Sequence, residues 1–386
     1  MLLAAPLLAL GLGTGCGDDG ASDDTTSSDS TGADTNASTS TSAGADGSTG
    51  APGSDSTGVG PGSDSSGATP GSTGDPATSS GSGSDGTGTG GSDSTGGAAL
   101  MTEEVAIVDG DVTISARITT VEGDAPTRTL VLVHGGPGFS DDYMHPLEQA
   151  AMVGWRVVSY DQHGSGDSTG PTPADWSLAR YVADVEAVRN HVGEPQVHLF
   201  GHSWGALVSW AYLDAHPAEV ASIAVLGGLP AAVTPGVFAA FGDLDARIVA
   251  LQGTGEIPDP IPEDVGDDCT PSSQAVYPAY VFDPSAALPA PFLATSCSDA
   301  SGAGTNLALN MAGGWDFTAA VGTYAGDAAV WWGDADPLGI NFGPDTTPQL
   351  LSATVQETVL VDTGHYPWLE GYDFVGELQA WMDTQP

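Results

Sequence analysis

One serine in this chain is placed as a nucleophile would be. "FGHSWGA", residues 200–206, sets Ser203 in the pattern G-x-S-x-G between a strand-like run, QVHLF, and a helix-like run, WGALVSWAYLDAH. Such an elbow exposes the serine hydroxyl above a sheet, and its neighbours Gly201 and Gly205 must be small for the chain to turn so sharply. The plainer role for Ser203 is to cap the following helix. A hydroxyl is a weak nucleophile, so chemistry needs a base and an acid to orient it. On elbows of this kind the partners follow in the order Ser, Asp/Glu, His. "VDTGHYPWLE" then offers His365, and "WWGDADP" offers Asp334 and Asp336. We favour Asp336, one turn past its strand, with Asp334 as runner-up. His134 and His202 flank turns, while His145, His191, His198 and His216 fall on predicted helices or strands, so these read as structural.

A second stretch bears on the same chemistry. In "TLVLVHGGPGFSDDYM", residues 129–144, an apolar run ends in a histidine followed by three glycines and a proline within Gly135–Gly138. Glycine and proline weaken a strand interior, so the cluster marks an abrupt turn where backbone approaches something closely. Where a serine elbow is present, the loop after the third strand supplies one oxyanion donor and the residue after the nucleophile the other. Here those would be the backbone N–H groups of Gly136 and Trp204. Each such donor is worth roughly 3 kcal/mol of barrier.

These residues need elements to hold them. "VAIVDGDVTISARITTV" predicts two short strands, and "TLVLVH", "WRVVSYDQ", "QVHLFGHS", "ASIAVLGGLP", "DAAVWWGDAD" and "VQETVLVDTGH" one each. Helices are expected over "DDYMHPLEQAAMVG", "SLARYVADVEAVRNHV", "WGALVSWAYLDAH", "TPQLLSA" and "YDFVGELQAWM"; in the second, Leu178, Val182, Val185 and Val188 form one apolar stripe. Continuous apolar strands alternating with helices predict a mostly parallel, doubly wound α/β sheet with its ligand site at the strands' C-terminal ends. Residues 228–313, rich in Pro, Asp and Ala, break the alternation and read as a cap or lid inserted over that edge.

In order and spacing, "HGGPG", "YDQHGSGDS" (160–168), "GHSWGA", "AHPAEV", "WDF" (315–317), "GDADP" and "GHYPWLE" resemble the proline iminopeptidase family. These are serine aminopeptidases of the α/β-hydrolase fold, and the likeness covers nearly all of residues 130–228 and 313–383. It implies release of an N-terminal residue, typically proline, from short peptides through an acyl-enzyme. It also implies Ser203, Asp336 and His365 as the triad, with Gly136 and Trp204 lining the oxyanion hole. The chain has His163 where the family usually has arginine and His202 where it usually has glycine. Family caps carry glutamates that hold the substrate's free amine, but this cap is shorter and unlike theirs. Glu256, Glu263, Asp264, Asp267 and Asp268 are present without anything to select among them, and Glu370 matches a glutamate often found after the histidine motif, making it the candidate for amine binding.

The rest of the chain bounds where such a protein works. Residues 1–16, "MLLAAPLLALGLGTGC", join an apolar run too short to span a membrane to small residues and Cys16. This resembles a bacterial lipoprotein leader, although Gly13 stands where leucine is usual and no basic residue precedes the apolar run, which leaves room for a start upstream. Residues 17–99 are almost wholly Ser, Thr, Gly, Asp, Ala and Pro, a composition that cannot bury enough to offset ordering and so predicts a disordered linker. Residues 100–386 form the hydrolase domain. Cys269 and Cys297 are the two remaining cysteines and would pair in an oxidising compartment, contributing about 3–4 kcal/mol in the chain-entropy model. The expected location is therefore the cell envelope or the exterior.

Charge narrows the partners. The chain has 50 acids, 6 arginines and no lysine, a net −44, and only 12 of the acids lie in the linker. Nucleic acid would be repelled, as would anionic membrane surfaces, leaving lipid on Cys16 as the sole membrane attachment. Such a surface suits saline surroundings, where self-repulsion is screened. The expected partner is a short peptide or small molecule, with no metal and no cofactor. The alternatives are a carboxylester or amide hydrolase of the same fold, or a binding module that has lost activity. Dehalogenase and epoxide-hydrolase chemistry is disfavoured because those enzymes carry Asp where this chain has Ser203.

Overall fold

A computed structural model describes residues 98–386; the leader with Cys16 and the linker before residue 98 lie outside the described residues. Eight strands form one sheet in the order β1-β2-β4-β3-β5-β6-β7-β8. Strands β1 (Leu100–Asp109) and β2 (Val112–Val121) make an antiparallel hairpin, and β2 also runs antiparallel to β4 (Arg156–Tyr160). Strands β1 and β2 are each ten residues long rather than short; residues 101–104 of β1 are exposed in succession, so no apolar alternation marks its extent. From there β3 (Thr129–Val133), β5 (Val197–His202), β6 (Val220–Leu226), β7 (Asp327–Gly333) and β8 (Thr354–Leu360) pair parallel to their neighbours.

The central strands are apolar because both faces are covered. Val131 and Val133 of β3 point into one buried cluster, with Val185, Val188, Leu207 and Trp210 from the helices Leu178–Val192 and Trp204–Ala215. Leu130 and Leu132 point into the other, with Leu147, Trp331, Phe374 and Trp381. The stripe read at Leu178, Val182, Val185 and Val188 does face the sheet.

Two helices differ from expectation. Asp142–Val153 is a 3-10 helix, not an α-helix, and contains Pro146, which has no N–H to give an α-helical bond. "TPQLLSA" yields only a 3-10 turn at Thr347–Gln349; the α-helix lies before it, at Gly339–Thr346. Gly339, Gly343 and Pro344 disguise that helix as a loop. A Cβ on Gly343 would come within 2.1 Å of the Trp332 ring, so the glycine lets the helix lie directly on β7.

The cap between β6 and β7 is helical. Its longest helix, Pro235–Thr254, starts with the Thr234 hydroxyl accepting from the Val237 N–H and Pro235 in the first turn. Shorter helices follow at Thr270–Val276, Ala290–Ala294 and Asp299–Met311. The Cys269–Cys297 disulfide joins two cap segments. Arg247 ties the cap to the loop after β7 by donating to the Ala335 carbonyl (3.0 Å), and it also donates to the Val281 carbonyl within the cap (2.5 Å).

Candidate active site

Ser203 ends β5 with φ 56° and ψ −118°, a left-handed conformation costly for a residue with a Cβ. The two flanking glycines make it possible. A Cβ on Gly201 would lie 2.7 Å from the Ala206 backbone, and one on Gly205 only 2.0 Å from the Val133 carbonyl oxygen. The chain can therefore turn straight from strand into the helix Trp204–Ala215.

His365 and Asp336 meet beside it. Asp336 Oδ2 lies 2.7 Å from His365 Nδ1, and both side chains are buried. Asp336 Oδ1 accepts from the Leu338 N–H at 2.9 Å, which fixes the carboxylate in the loop after β7. Gly227, at φ +53°, leaves room for the pair: a Cβ there would lie 2.7 Å from Asp336 Oδ2 and 2.9 Å from His365 Nδ1. Asp334 is exposed, and the acid that meets the histidine is Asp336.

The glycine-rich turn comes against the elbow. Gly136 (φ +124°) lines the same cavity as Ser203 and His365, and a Cβ on Gly135 would be 3.0 Å from Ser203 Cβ. Trp204 opens its helix, so its N–H has no acceptor within that helix. Both expected oxyanion donors thus flank the serine. Gln162 locks the two together: its side chain donates to the His134 carbonyl (2.8 Å) and accepts from Trp204 Nε1 (2.9 Å).

His202, the departure from the family's glycine, sits at the centre of a buried chain of hydrogen bonds. The Gly135 N–H donates to Tyr143 Oη at 2.5 Å, so the phenol's own proton goes to His202 Nδ1 at 2.9 Å. His202 is then protonated on Nε2, which donates to the His365 carbonyl at 2.9 Å. Burial, with His365 nearby, holds the His202 imidazole far below the usual histidine range, so it stays neutral. The glycine turn, the elbow and the His365 loop are linked through one ring that the sequence reads as structural.

Other expectations resolve by position. His163 lies away from the cavity, stacked on Trp176, with Nδ1 2.6 Å from Asp184 Oδ2 and Nε2 3.0 Å from the Asp175 carbonyl; it braces the loop after β4. Glu370 does not line the cavity. Its carboxylate accepts from the N–H groups of Phe282 (2.7 Å), Gly364 (2.9 Å) and Tyr366 (3.2 Å), so it clamps the His365 loop to the cap. Burial raises its pKa above the usual carboxylate range while these three donors pull it down. Asp267 holds the Ala300 N–H at 2.6 Å and Asp268 the Thr270 N–H at 2.9 Å. Neither these two nor Glu256, Glu263 and Asp264 line the cavity.

The acids that do line it are Asp245 and Asp259, which the sequence reading did not single out. The signal was available: Phe241, Leu244, Asp245, Ile248, Val249 and Gln252 recur at helical spacing on the cap helix, and all six face the cavity. That cavity has a volume of about 550 Å³ and an otherwise mostly apolar lining, including Phe139, Ile261, Phe292 and Tyr366. Among the described residues no group of three or more His, Cys, Asp or Glu is arranged to hold a metal.

Comparison with known proteins agrees with this geometry. A family model described as alpha/beta hydrolase fold matches residues 128–253. Proline iminopeptidase of Levilactobacillus brevis is 39% identical over 117 residues, 29% of this chain and 39% of the relative. That of Clostridium botulinum is 36% identical over 107 residues, 27% of this chain and 36% of the relative. The matched stretch thus spans about two fifths or less of these curated relatives. Among solved structures, a bacterial membrane phospholipase A aligns with TM-score 0.56 and 21% identity over 73% of this chain and 86% of its own. Proline iminopeptidase of Mycobacterium smegmatis aligns with TM-score 0.53 and 21% identity over 73% of this chain and 98% of its own.

Proposed function

We propose that this protein, which has the α/β-hydrolase fold, is a serine hydrolase that releases the N-terminal residue of short peptides through an acyl-enzyme. The observation that carries the chemistry is the buried Asp336–His365 pair at 2.7 Å, opening into one cavity with Ser203 and Gly136. Ser203 Oγ attacks the substrate carbonyl as His365 Nε2 takes its proton, and Asp336 holds the Nδ1–H of the resulting imidazolium. The N–H groups of Gly136 and Trp204 meet the oxyanion. The leaving amine departs with the proton from His365, and water, activated by the same imidazole, releases the acyl group.

The peptidase reading draws support from the local identity to proline iminopeptidases and from two carboxylates facing an otherwise apolar cavity. Asp245 and Asp259 supply the negative charge that a free ammonium group needs, with apolar walls for the side chain beside it. A cavity of about 550 Å³ lies within the range of small-molecule sites and leaves space for more than a small ring. That same apolar lining favours the second reading, a carboxylester hydrolase. A panel of aminoacyl-arylamides, proline against larger apolar residues, run beside short and medium acyl esters decides between them. Turnover of esters with no free-amine amide cleaved would sink the peptidase reading. Fluorophosphonate labelling of the folded protein, lost in Ser203→Ala, tests the hydrolase chemistry itself, and a folded protein that takes no label would be a binding module.

We further propose an exported protein tethered by lipid on Cys16. The buried Cys269–Cys297 bridge supports an oxidising compartment, and no described helix is long and apolar enough to cross a membrane. Metabolic labelling with an alkyne fatty acid should mark the full chain and spare Cys16→Ser; equal labelling of both would remove the anchor from Cys16.

A further inference from the structure

We propose that the disulfide Cys269–Cys297 is a positioning device for catalysis: it fixes a cap strand that holds the oxyanion loop in its working shape. The inference rests on the serine-hydrolase reading above, in which Gly136 donates to the oxyanion. The loop from Gly136 to Ser140 has little backbone support from the sheet. Gly135, just before it, gives its N–H to Tyr143, and Asp141, just after it, gives its N–H to Asp161 Oδ1 at 2.9 Å. Between those two anchors, the backbone bonds recorded for the loop all go to the cap.

The contact has the form of a small antiparallel ladder. Phe139 bridges Cys297, the Ser140 N–H donates to the Ser296 carbonyl at 2.9 Å, and the Ser298 N–H donates to the Gly138 carbonyl at 2.8 Å. The Ser296 N–H adds a bond to Ser140 Oγ at 2.9 Å. The approach is close enough to exclude a side chain: Gly138 has φ +96°, and a Cβ there would lie 2.5 Å from the Ser298 carbonyl oxygen. Strands 138–140 and 296–298 are therefore matched to each other residue by residue, though the second belongs to an inserted segment.

On its far side the strap is fastened again. The Cys269 N–H donates to the Cys297 carbonyl at 3.0 Å, the Cys297 N–H to Thr270 Oγ1 at 3.0 Å, and the Asp299 N–H to the Asp267 carbonyl at 2.8 Å. The disulfide closes this outer pairing covalently, and both sulfurs are buried, Cys269 wholly and Cys297 at 5% exposure. Isolated two-stranded ladders of this length are marginal in water. The covalent link keeps the middle strand in place, and that strand in turn limits how far Gly136 can swing from the oxyanion. An oxyanion donor acts in the transition state, so loosening the loop should lower kcat and leave ground-state binding nearly as it was.

The test uses the full chain with Cys269→Ser/Cys297→Ser, assayed well below its melting temperature, and hydrogen exchange at amides 138–140. The expected result is a tenfold or greater fall in kcat with KM within twofold, slower fluorophosphonate labelling, and faster exchange confined at first to 138–140 and 296–298. Should the double variant fail to fold, Ser140→Ala with the bridge intact removes the bond from the Ser296 N–H to Ser140 Oγ and leaves the backbone pairing; it should raise exchange at the same amides and lower kcat about threefold. A lower melting temperature with unchanged kcat and unchanged exchange in the loop would overturn the proposal, leaving the bridge a stabiliser alone. A wild type that neither takes the fluorophosphonate nor cleaves any substrate would instead sink the hydrolase reading, and the exchange comparison would still decide whether the strap holds the loop.

Discussion

Removing one oxygen atom should expose how the site is held together. Tyr143 is fully buried, and its ring packs on His202, Tyr366 and Trp368. Tyr143→Phe keeps that packing and deletes only Oη, which accepts from Gly135 at 2.5 Å and donates to His202 Nδ1 at 2.9 Å. Two hydrogen bonds of about 1 kcal/mol each are lost, and a buried N–H and a buried ring nitrogen are left unpaired, so the total cost should be about 3 kcal/mol. For a domain of this size that is a fall in Tm of roughly 5 °C. Freed of its phenol partner, His202 can move its proton to Nδ1 and lose the bond to the His365 carbonyl. We expect kcat to fall about tenfold, or about 1.4 kcal/mol of barrier, with KM little changed. Urea unfolding followed by tryptophan fluorescence gives the stability, and steady-state kinetics on the best arylamide gives the rate. A double-mutant cycle with His202→Gln should show coupling of at least 0.5 kcal/mol in both. Additive effects, or a Tyr143→Phe protein as stable and as fast as wild type, would refute the linkage.

Three further expectations concern single residues. Asp336→Asn should keep the bond to the Leu338 N–H but offer an amide to His365 Nδ1, imposing the wrong tautomer and lowering kcat by about 10³–10⁴-fold; a larger loss from Asp334→Asn would contradict the assignment. Glu370→Gln should cost about 2 kcal/mol in unfolding experiments, because an amide cannot accept from three N–H groups as a carboxylate does; unchanged stability with a raised KM for free-amine substrates alone would restore it as an amine anchor. His198 is held down to about 4 by burial and the nearby Arg128 charge, against about 6.5 when unfolded. Its contribution is present above pH 6.5 and is lost as pH falls towards 4, to the extent of about 3 kcal/mol. Burial raises Asp161 and Glu370 instead, which works in the opposite sense, so the quantity to read is the difference between wild type and His198→Gln across pH 4–8; parallel curves would refute it.

The sequence carried the chemistry further than the supports. The placement of Ser203, Asp336, His365 and the glycine turn was legible because the spelling around them is forced by steric needs: Gly201 and Gly205 have no room for a Cβ, and neither does Gly227 beneath the Asp336–His365 pair. The central strands were legible because burial on both faces leaves apolar runs. The cap was not, since short helices such as Ala290–Ala294 are started by prolines and hold too few turns to show a period. The helix Gly339–Thr346 was hidden for a related reason: it is spelled with glycines because it lies against Trp332 and Asp336. Glu370 misled because a carboxylate that gathers backbone N–H groups has the same letter as one that waits for a ligand. His202 reads as structural, and what it joins was hidden because its partner Tyr143 is far away in the chain and near it only in space.

The order of strands has one last implication, for timing. Ser203 follows β5, Asp336 follows β7, and His365 follows β8, which forms an edge of the sheet and pairs with β7 alone. A chain in which β8 has not docked lacks His365 beside the elbow, along with the bonds that the His365 loop makes to His202 and Tyr280. On the mechanism proposed above, hydrolytic competence would arrive only with the docking of the last strand, and the appearance of activity during refolding would serve as a clock for that step. A nascent chain would then be chemically harmless to its neighbours until it had finished folding.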